Sequence, residues 1–360
     1  MALVQHRPKG KVDQTMFRRA IMAKTIYLWE YGEYEYPCAG NFLPNLTAYL
    51  HEDEQVRPAM IVAPGGGYAM VSPTEGEIVA KKFYHAGYQA FVLTYTTNMF
   101  RVKALEKQPM KDISRAVRYI RKHAGELKIK DNMVVCCGFS AGAHVVGSLA
   151  VHYQDEELKC EPYGEVSNRP DAVLLSYPVI TTGEYAHRDS FELLFGSEPT
   201  EEQLVWASLE KQVSSDTPPA FLWQTLTDEL VPVENSIMYA KACRENQVSC
   251  ELHLFMNGKH GMSLADEDWA SNNIGEGSLY TMMQQWQTMK TLHAQNPAML
   301  PDVLASSAKA GTLSEFVAEW FKATAGFRQQ QEQQKADASV AQWPALALAW
   351  LNKMGIYYQI

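Results

Sequence analysis

Ser140 lies at the centre of the sequence GFSAG, residues 138–142, between an apolar run, MVVCC, and a helical pattern, AHVVGSLAVHY. A serine in a sharp strand-to-helix turn is lifted out of the sheet, and the free N–H groups at the start of the helix can stabilise a nearby oxyanion. Side chains in place of the two glycines would clash with the neighbouring strand and helix. The pattern therefore predicts that Ser140 is a nucleophile. An ordinary serine in a strand-to-helix turn is the alternative.

A glycine-rich loop, PGGGY at residues 64–68, follows an earlier apolar run, AMIVA. Glycine lets the backbone approach a reacting carbonyl group because no Cβ stands in the way. The loop is therefore predicted to supply donors of an oxyanion hole, the N–H groups of Gly66 and Gly67, with the N–H of Ala141 as a third. A flexible turn or a phosphate-binding loop is the alternative, but the sequence matches neither common glycine motif for nucleotide binding.

Two later loops carry candidates for the acid and the base that would activate the serine. Asp228 follows the apolar run AFLWQT, with Glu229 as its local rival and helix capping as its alternative role. His260 follows the run ELHLF in the loop NGKHGM, where flanking glycines leave the imidazole free to face the serine. His253 lies within a predicted strand and is expected to be packed, and His144, one turn beyond Ser140, is expected to line the face of its helix. Serine, then aspartate, then histidine is the chain order that an α/β-hydrolase requires.

Apolar runs alternate with helical patterns along most of the chain. Strands are predicted at 59–63, 90–95, 133–137, 172–177, 220–224 and 251–255, and helices at 77–85, 112–123, 141–153 and 233–246. Most of the runs are continuously apolar, as parallel strands covered on both faces are. The predicted fold class is therefore α/β, a doubly wound, mostly parallel sheet. Two earlier runs, at 27–29 and 46–50, are predicted to form an antiparallel edge.

Residues 267–338 contain no convincing strand and are predicted to be a helical insertion before the last helix, which is expected at 343–354. Two amphipathic stripes cross the insertion, and Thr312 with Glu315 resembles a capping box. The stripes are Leu279, Met282, Met283, Trp286, Met289 and Leu292, then Leu313, Phe316, Val317, Trp320 and Phe321. Packing on the core or on a second copy of the chain is the favoured interpretation, and a lid over an acyl pocket is the alternative. The hydrolase domain is expected to span 20–360, after an N-terminal arm at 1–19.

Composition limits the class of protein. The 360 residues are 46% hydrophobic and 20% charged, which excludes a disordered chain, a collagen and a coiled coil. The net charge of −9 argues against a nucleic-acid partner. No apolar run reaches the about 18 residues that a membrane helix needs. Six cysteines form no C-x-x-C pair, and the N-terminus has no secretory apolar region, so a cytoplasmic location is expected. Export by a signal outside this sequence is the alternative.

Together, these motifs resemble the acetyl xylan esterase-like, or carbohydrate esterase-like, branch of the α/β-hydrolases. The resemblance covers roughly residues 20–266 and 339–357. Its matching segments include PGGGYAMVSPTEGEIVAKKFYHAGYQAFVLTYT, VVCCGFSAGAHVVGSLA, RPDAVLLSYPVI, TPPAFLWQTLTDELVPVENSIMYAKA and GKHGMSLA. Two features depart from the family pattern. A proline opens the glycine loop where many lipase-type relatives have a histidine, and residues 267–338 have no counterpart.

The resemblance implies a serine carboxylesterase that removes small acyl groups, often acetyl groups on sugars or xylo-oligosaccharides, by a Ser-His-Asp acyl-enzyme mechanism. By matching positions it implies Ser140 as nucleophile, Asp228 as acid and His260 as base, with the oxyanion donors named above. This chemistry requires no metal and no cofactor, and its partner is a small-molecule ester. A broad-specificity or feruloyl-type esterase is the first alternative. Two further alternatives are a prolyl-oligopeptidase-like peptidase and a non-catalytic binding protein on the same fold.

Overall fold

The computed structural model of the chain describes residues 24–30, 32–34, 36, 42–99, 101, 103–159, 163–296, 302–324 and 335–358. The predicted N-terminal arm, 1–19, lies outside the described residues, as do Cys38 and Cys160. The strands are β1 Lys24–Tyr27, β2 Asn45–Tyr49, β3 Arg57–Ala63, β4 Gln89–Thr94, β5 Ile129–Phe139, β6 Ala172–Ser176, β7 Ala220–Thr225 and β8 Cys250–Phe255.

The eight strands form one sheet, in the spatial order β1-β2-β4-β3-β5-β6-β7-β8. All pairs from β4 to β8 across this sheet are parallel. β2 runs antiparallel to β4, and β1 runs antiparallel to β2. The predicted α/β class, its six core strands and its antiparallel edge are therefore confirmed. β5 differs most from its predicted bounds, because it begins at Ile129 instead of Met133 and continues to Phe139.

Twelve α-helices occupy the described part of the chain. They are α1 Glu77–His85, α2 Gln108–Lys122, α3 Ala124–Leu127, α4 Ala141–His152, α5 Arg188–Phe195, α6 Glu201–Ala207, α7 Glu234–Glu245, α8 Glu267–Ala270, α9 Glu276–Gln295, α10 Asp302–Lys309, α11 Leu313–Thr324 and α12 Trp343–Lys353. The predicted helices at α1, α2, α4, α7 and α12 are confirmed. Within the described residues, none of the helices has both the length and the apolar character needed to cross a bilayer.

Two short helices after β6, α5 and α6, were not predicted from the sequence. α6 begins with a capping box, in which the Thr200 hydroxyl accepts from the Gln203 N–H and the Gln203 side chain accepts from the Thr200 N–H. Helices of one to two turns are too short to show a clear periodicity of apolar residues. The segment matters because it borders the candidate site.

Helices cover both faces of the sheet because side chains alternate along each strand. Ile61 of β3 belongs to a core that includes Val117 of α2 and side chains of α4 and α7. Its neighbour Val62 belongs to the opposite core, with Phe83 of α1 and Trp343 of α12. Central strands that are buried on both faces explain the continuously apolar runs in the sequence.

Residues 267–338, the predicted insertion, contain a small core of their own in their described part. Met282 and Met289 of α9 and Phe316 of α11 are buried in it, and the Trp286 ring stacks on Phe316 with 5.8 Å between ring centroids. These members of the two stripes therefore pack against one another, and packing on a second copy of the chain stays a prediction. The side chains of Leu292, Trp320 and Phe321 lie outside the described residues.

A capping box starts α11, as predicted. The hydroxyl oxygen of Thr312 accepts from the Glu315 N–H at 3.2 Å, and the Glu315 carboxylate accepts from the Thr312 N–H at 3.2 Å. Each of these bonds satisfies a donor that would otherwise be free at the start of the helix.

Glu77, the first residue of α1, anchors the insertion to the rest of the fold. Its buried carboxylate accepts hydrogen bonds from the N–H groups of Gly277 and Ser278, at the start of α9. The Ser278 hydroxyl accepts in return from the Glu77 N–H at 3.4 Å. Met70, which lies in the glycine-rich loop region, packs against the core of the insertion. The insertion therefore adjoins the loop that the sequence assigns to the oxyanion hole.

Candidate active site

Ser140 occupies a strained turn between β5 and α4. Its backbone has φ 51° and ψ −119°, a region that costs a non-glycine residue of order 1–3 kcal/mol. A Cβ at Gly138 would lie 2.5 Å from the Cα of Ala143, and a Cβ at Gly142 would lie 2.2 Å from the carbonyl oxygen of Ala63. Both glycines are therefore required by close backbone packing, which is the reason given for them from the sequence.

Gly142→Ala should destabilise the fold. Its new methyl group would lie 2.2 Å and 2.3 Å from the carbonyl oxygens of Ala63 and Pro64, which are backbone atoms that cannot move without moving the glycine loop. We expect the free energy of unfolding in urea to fall by about 1–3 kcal/mol, the usual cost of overpacking. Gly125→Ala is the matched control, because a Cβ there meets nothing within 4 Å. Equal stability of the two variants would contradict the close packing at Gly142.

The structure brings Ser140, His260 and Asp228 into one hydrogen-bonded line. His260 Nε2 lies 2.8 Å from Ser140 Oγ, and His260 Nδ1 lies 2.7 Å from Asp228 Oδ2. The three residues follow β5, β8 and β7, so they meet at the carboxyl edge of the parallel sheet. In this arrangement the imidazole can take the proton of the serine hydroxyl, and the carboxylate can stabilise the imidazolium that forms.

Burial and hydrogen bonds separate Asp228 from its neighbour Glu229. Asp228 is 7% exposed, whereas Glu229 lies on the exposed side of the loop. Asp228 Oδ1 accepts from the N–H groups of Leu230 and Val231, both at 3.0 Å, which leaves Oδ2 directed at His260. The geometry therefore favours Asp228 as the partner of the histidine.

The glycine-rich loop lies directly against the turn that carries the serine. A Cβ at Gly65 would be 2.9 Å from the Cβ of Ser140. The Gly65 carbonyl accepts from the Ser72 N–H at 2.9 Å, and the Gly66 carbonyl accepts from a later N–H of the loop at 3.0 Å. A planar trans peptide points its N–H opposite to its C=O. The N–H groups of Gly66 and Gly67 therefore point away from the interior of the loop.

Three backbone donors remain available beside Ser140. Within the part of the chain that the structure describes, the N–H groups of Gly66, Gly67 and Ala141 donate to no protein acceptor. Ala141 is the first residue of α4, where N–H groups have no partner within the helix. The Gly65 N–H differs, because it donates to the Glu75 carboxylate at 2.7 Å. Available donors at this point are what an oxyanion hole requires.

His144 is fully buried, and His253 lies on a strand, as predicted, but its side chain is 28% exposed. The Tyr68 hydroxyl donates to Nδ1 of His144 at 2.7 Å, and Nε2 of His144 donates to the Ala207 carbonyl at 2.9 Å. Burial lowers the pKa of His144 to about 4, so its imidazole stays neutral. His253, on β8, lies 2.9 Å from the Glu251 carboxylate. Since Tyr68 directly follows Gly67, the bond to His144 also holds the end of the glycine loop.

Sequence reasoning missed His187, which borders the site from the segment before α5. Its Cε1 atom lies 3.8 Å from the position of a Cβ at Gly67, and its Nδ1 lies 2.8 Å from the hydroxyl oxygen of Ser190. Burial, followed by the charge of a protonated His260, holds the pKa of His187 below its usual value. A neutral imidazole therefore stands beside the glycine loop. No motif in the local sequence marks it.

Sequence reasoning also missed the roles of Tyr177 and Glu75. The Tyr177 ring packs edge-on against His260, with 4.9 Å between ring centroids, and its hydroxyl donates to Glu75 at 2.7 Å. One signal could have marked Tyr177. It stands immediately after β6, at the carboxyl edge of the sheet, where ligands bind in open α/β folds.

Two other kinds of chemical group in the described part of the chain are potential metal ligands and cysteine thiols. No group of three or more His, Cys, Asp or Glu side chains there is arranged to hold a metal ion. Cys136 and Cys137 are buried in β5, as predicted, and burial raises the pKa of both thiols. Such thiols behave as small apolar side chains.

Comparison with known proteins connects this geometry to a family. The BD-FAE family model matches residues 46–242, more than half of the chain, and this range includes the glycine loop, Ser140 and Asp228. Endo-1,4-beta-xylanase B of Butyrivibrio fibrisolvens is 49% identical over 257 residues, which are 71% of this chain and 40% of that protein. The acetylxylan esterase of Xylanibacter ruminicola is 32% identical over 223 residues, 60% of this chain and 43% of that protein. The chain thus spans less than half of the length of either curated relative.

A solved structure agrees with these matches. The acetyl ester-xyloside bifunctional hydrolase of Caldicellulosiruptor lactoaceticus is 33% identical and superposes with a TM-score of 0.62, over 78% of this chain and 98% of that one. One assignment follows from three observations: the parallel sheet, the strained serine in its glycine-flanked turn, and the match of the family model over more than half of the sequence. The chain belongs to the BD-FAE family of α/β-hydrolases.

Proposed function

We propose that this chain is a serine carboxylesterase that removes small acyl groups, in particular acetyl groups, from O-acetylated sugars or xylo-oligosaccharides. The observation that carries the proposal is the hydrogen-bonded line of Ser140, His260 and Asp228, beside three backbone N–H groups that donate to no acceptor among the described residues. Each group has the position that two-step acyl transfer demands of it.

Acylation begins at the Ser140 hydroxyl. His260 Nε2, 2.8 Å away, takes the proton as Ser140 Oγ attacks the carbonyl carbon of the ester. Asp228 accepts from the Nδ1–H of His260, which fixes the tautomer that leaves Nε2 able to accept a proton. The N–H groups of Gly66 and Gly67, with that of Ala141, receive the negative charge that develops on the carbonyl oxygen.

Loss of the alcohol completes acylation, and deacylation then repeats the cycle with water as the nucleophile. Protonated His260 gives its proton to the leaving alcohol as the tetrahedral intermediate collapses to the acyl-enzyme. A water molecule then takes the place of the alcohol, and His260 removes its proton as it attacks the acyl carbon. Collapse of the second intermediate releases the carboxylic acid and returns the proton to Ser140 Oγ.

Relatives support the choice of substrate class. One curated relative is named an acetylxylan esterase, and a solved structure with 33% identity is named an acetyl ester-xyloside hydrolase. The relative named a xylanase matches this chain over only 40% of its own length, so its name describes a much longer protein. Glycoside hydrolysis uses two carboxylic acids on either side of a sugar bond. Asp228 instead engages both of its oxygens, with His260 and with two backbone N–H groups.

A substrate panel tests the proposal. We expect the purified chain to release acetate from acetylated xylo-oligosaccharides and to hydrolyse p-nitrophenyl acetate with a higher kcat/KM than the butyrate or octanoate. Methyl ferulate and a peptide p-nitroanilide complete the panel, and Ser140→Ala is the inactive control. A preference for methyl ferulate would favour a feruloyl-type esterase, and a preference for the anilide would favour a peptidase. If the chain hydrolyses none of these substrates, the proposal is refuted.

A further inference from the structure

A buried carboxylate lies behind the candidate active site, outside the catalytic line. Glu75 is 4% exposed and ends a short 3-10 turn, Pro73–Glu75, between the glycine loop and α1. Its Oε2 accepts from the Gly65 N–H at 2.7 Å, and its Oε1 accepts from the Tyr177 hydroxyl at 2.7 Å. Both oxygens of Glu75 therefore accept a hydrogen bond, one from each of the two neighbouring segments.

Tyr177 extends this contact to the loop that carries the histidine. Its hydroxyl oxygen accepts from the Ser263 N–H at 3.1 Å, so its own proton is left for Glu75. Burial, followed by the charge of Glu75, raises the pKa of Tyr177, and the phenol stays protonated. The ring packs edge-on against both His260 and Trp223, with 4.9 Å and 5.0 Å between ring centroids.

Glu75 also determines how the oxyanion donors are presented. The peptide unit that carries the Gly66 N–H also carries the Gly65 carbonyl, which is bonded to the Ser72 N–H. The N–H of Gly65 itself, on the other side of its Cα, donates to the Glu75 carboxylate. Gly65 is thus fixed at both of its backbone polar groups. Glycine otherwise has the widest conformational freedom of any residue, so these two bonds decide where the Gly66 N–H points.

We infer that Glu75 is a positioning residue that holds the oxyanion loop and the histidine loop in one common arrangement, through Gly65 on one side and through Tyr177 and Ser263 on the other. The inference rests on the proposed function. Donors of an oxyanion hole act mainly on the transition state, so misplaced donors lower kcat and leave substrate binding nearly unchanged. A residue needed only for folding would not produce this separation of kcat from KM.

Glu77 provides a matched control within the same segment. It is buried to 3% exposure, two residues after Glu75, and its carboxylate accepts two backbone N–H groups and pairs with Lys81. Those groups belong to Gly277 and Ser278 of the insertion, so Glu77 holds a helix in place and Glu75 holds the loop beside Ser140. Replacing each by glutamine removes one carboxylate from each of two similarly buried sites, and at Glu77 it also removes the ion pair with Lys81.

The test measures kcat and KM for p-nitrophenyl acetate in Glu75→Ala, Glu75→Gln, Tyr177→Phe and Glu77→Gln, well below each thermal midpoint. We expect Glu75→Ala to lower kcat about 100-fold while KM changes by less than about threefold, as when an oxyanion donor is displaced. Glu75→Gln should keep part of kcat, because the amide oxygen can still accept from Gly65. Glu77→Gln should match the wild type. Glu75→Gln and Tyr177→Phe together should lower kcat by less than the product of their separate effects.

Labelling of Ser140 with a small fluorophosphonate separates this inference from the proposed function. The phosphoryl oxygen of the probe takes the place of the oxyanion, so we expect Glu75→Ala to react about 100-fold more slowly than the wild type. If the wild type hydrolyses esters and folded Glu75→Ala keeps its kcat and labelling rate, the inference is wrong and the proposed function stands. Equal losses in Glu75→Gln and Glu77→Gln would also overturn it. If the wild type neither hydrolyses esters nor reacts with the probe, both fail.

Discussion

Ser140→Ala should abolish ester hydrolysis and leave the fold intact. We expect kcat for p-nitrophenyl acetate to fall by about six orders of magnitude, the size of effect seen when a triad serine is removed. Alanine keeps the Cβ atom, so the strained backbone at φ 51° and the packing against the glycine loop stay as they are. Only the hydroxyl that lies 2.8 Å from His260 is lost. Initial rates and the thermal midpoint, measured on the same sample, check the two parts of this prediction.

The outcome is informative in both directions. A thermal midpoint equal to that of the wild type would show that the lost activity comes from the missing hydroxyl. Hydrolysis within about tenfold of the wild type would place the nucleophile elsewhere, since binding and an oxyanion hole without a nucleophile supply only a small part of catalysis.

Asp228→Asn should lower kcat by about 10⁴-fold, because it reverses the tautomer of the histidine. Oδ1 of Asp228 accepts from the N–H groups of Leu230 and Val231, so the amide oxygen of asparagine would take that place. The amide NH₂ would then face Nδ1 of His260, which must accept from it. The imidazole proton moves to Nε2, where it faces Ser140 Oγ and prevents the ring from taking the serine proton.

Glu229→Gln is the matched control for this change. Glu229 is the adjacent carboxylate but lies exposed, so we expect its variant to keep kcat within about twofold of the wild type. The rates of the two variants on p-nitrophenyl acetate give the comparison. If the Glu229 variant loses most of its activity and the Asp228 variant keeps normal activity, Glu229 replaces Asp228 as the candidate acid.

Much of the framework is encoded locally and could be derived from the sequence. Continuously apolar runs that alternate with helical patterns predicted the parallel sheet, because a strand buried on both faces admits few polar residues. The glycines around Ser140 predicted the turn, since close backbone contacts there exclude a Cβ. The capping box at Thr312 could also be predicted, because it needs only residues within one helical turn.

Contacts between distant segments depended on the tertiary structure. The sequence favoured Asp228 but left Glu229 as a rival, and only the tertiary structure shows which carboxylate is buried beside His260. The bond between Glu75 and Tyr177 joins residues 102 positions apart, and Glu77 meets Ser278 across 201 positions. No feature of the sequence around Glu75 indicates which distant residue it bonds. Partners of this kind are fixed by the order of strands in the sheet and by side-chain direction, which the chain acquires only when its elements pack together.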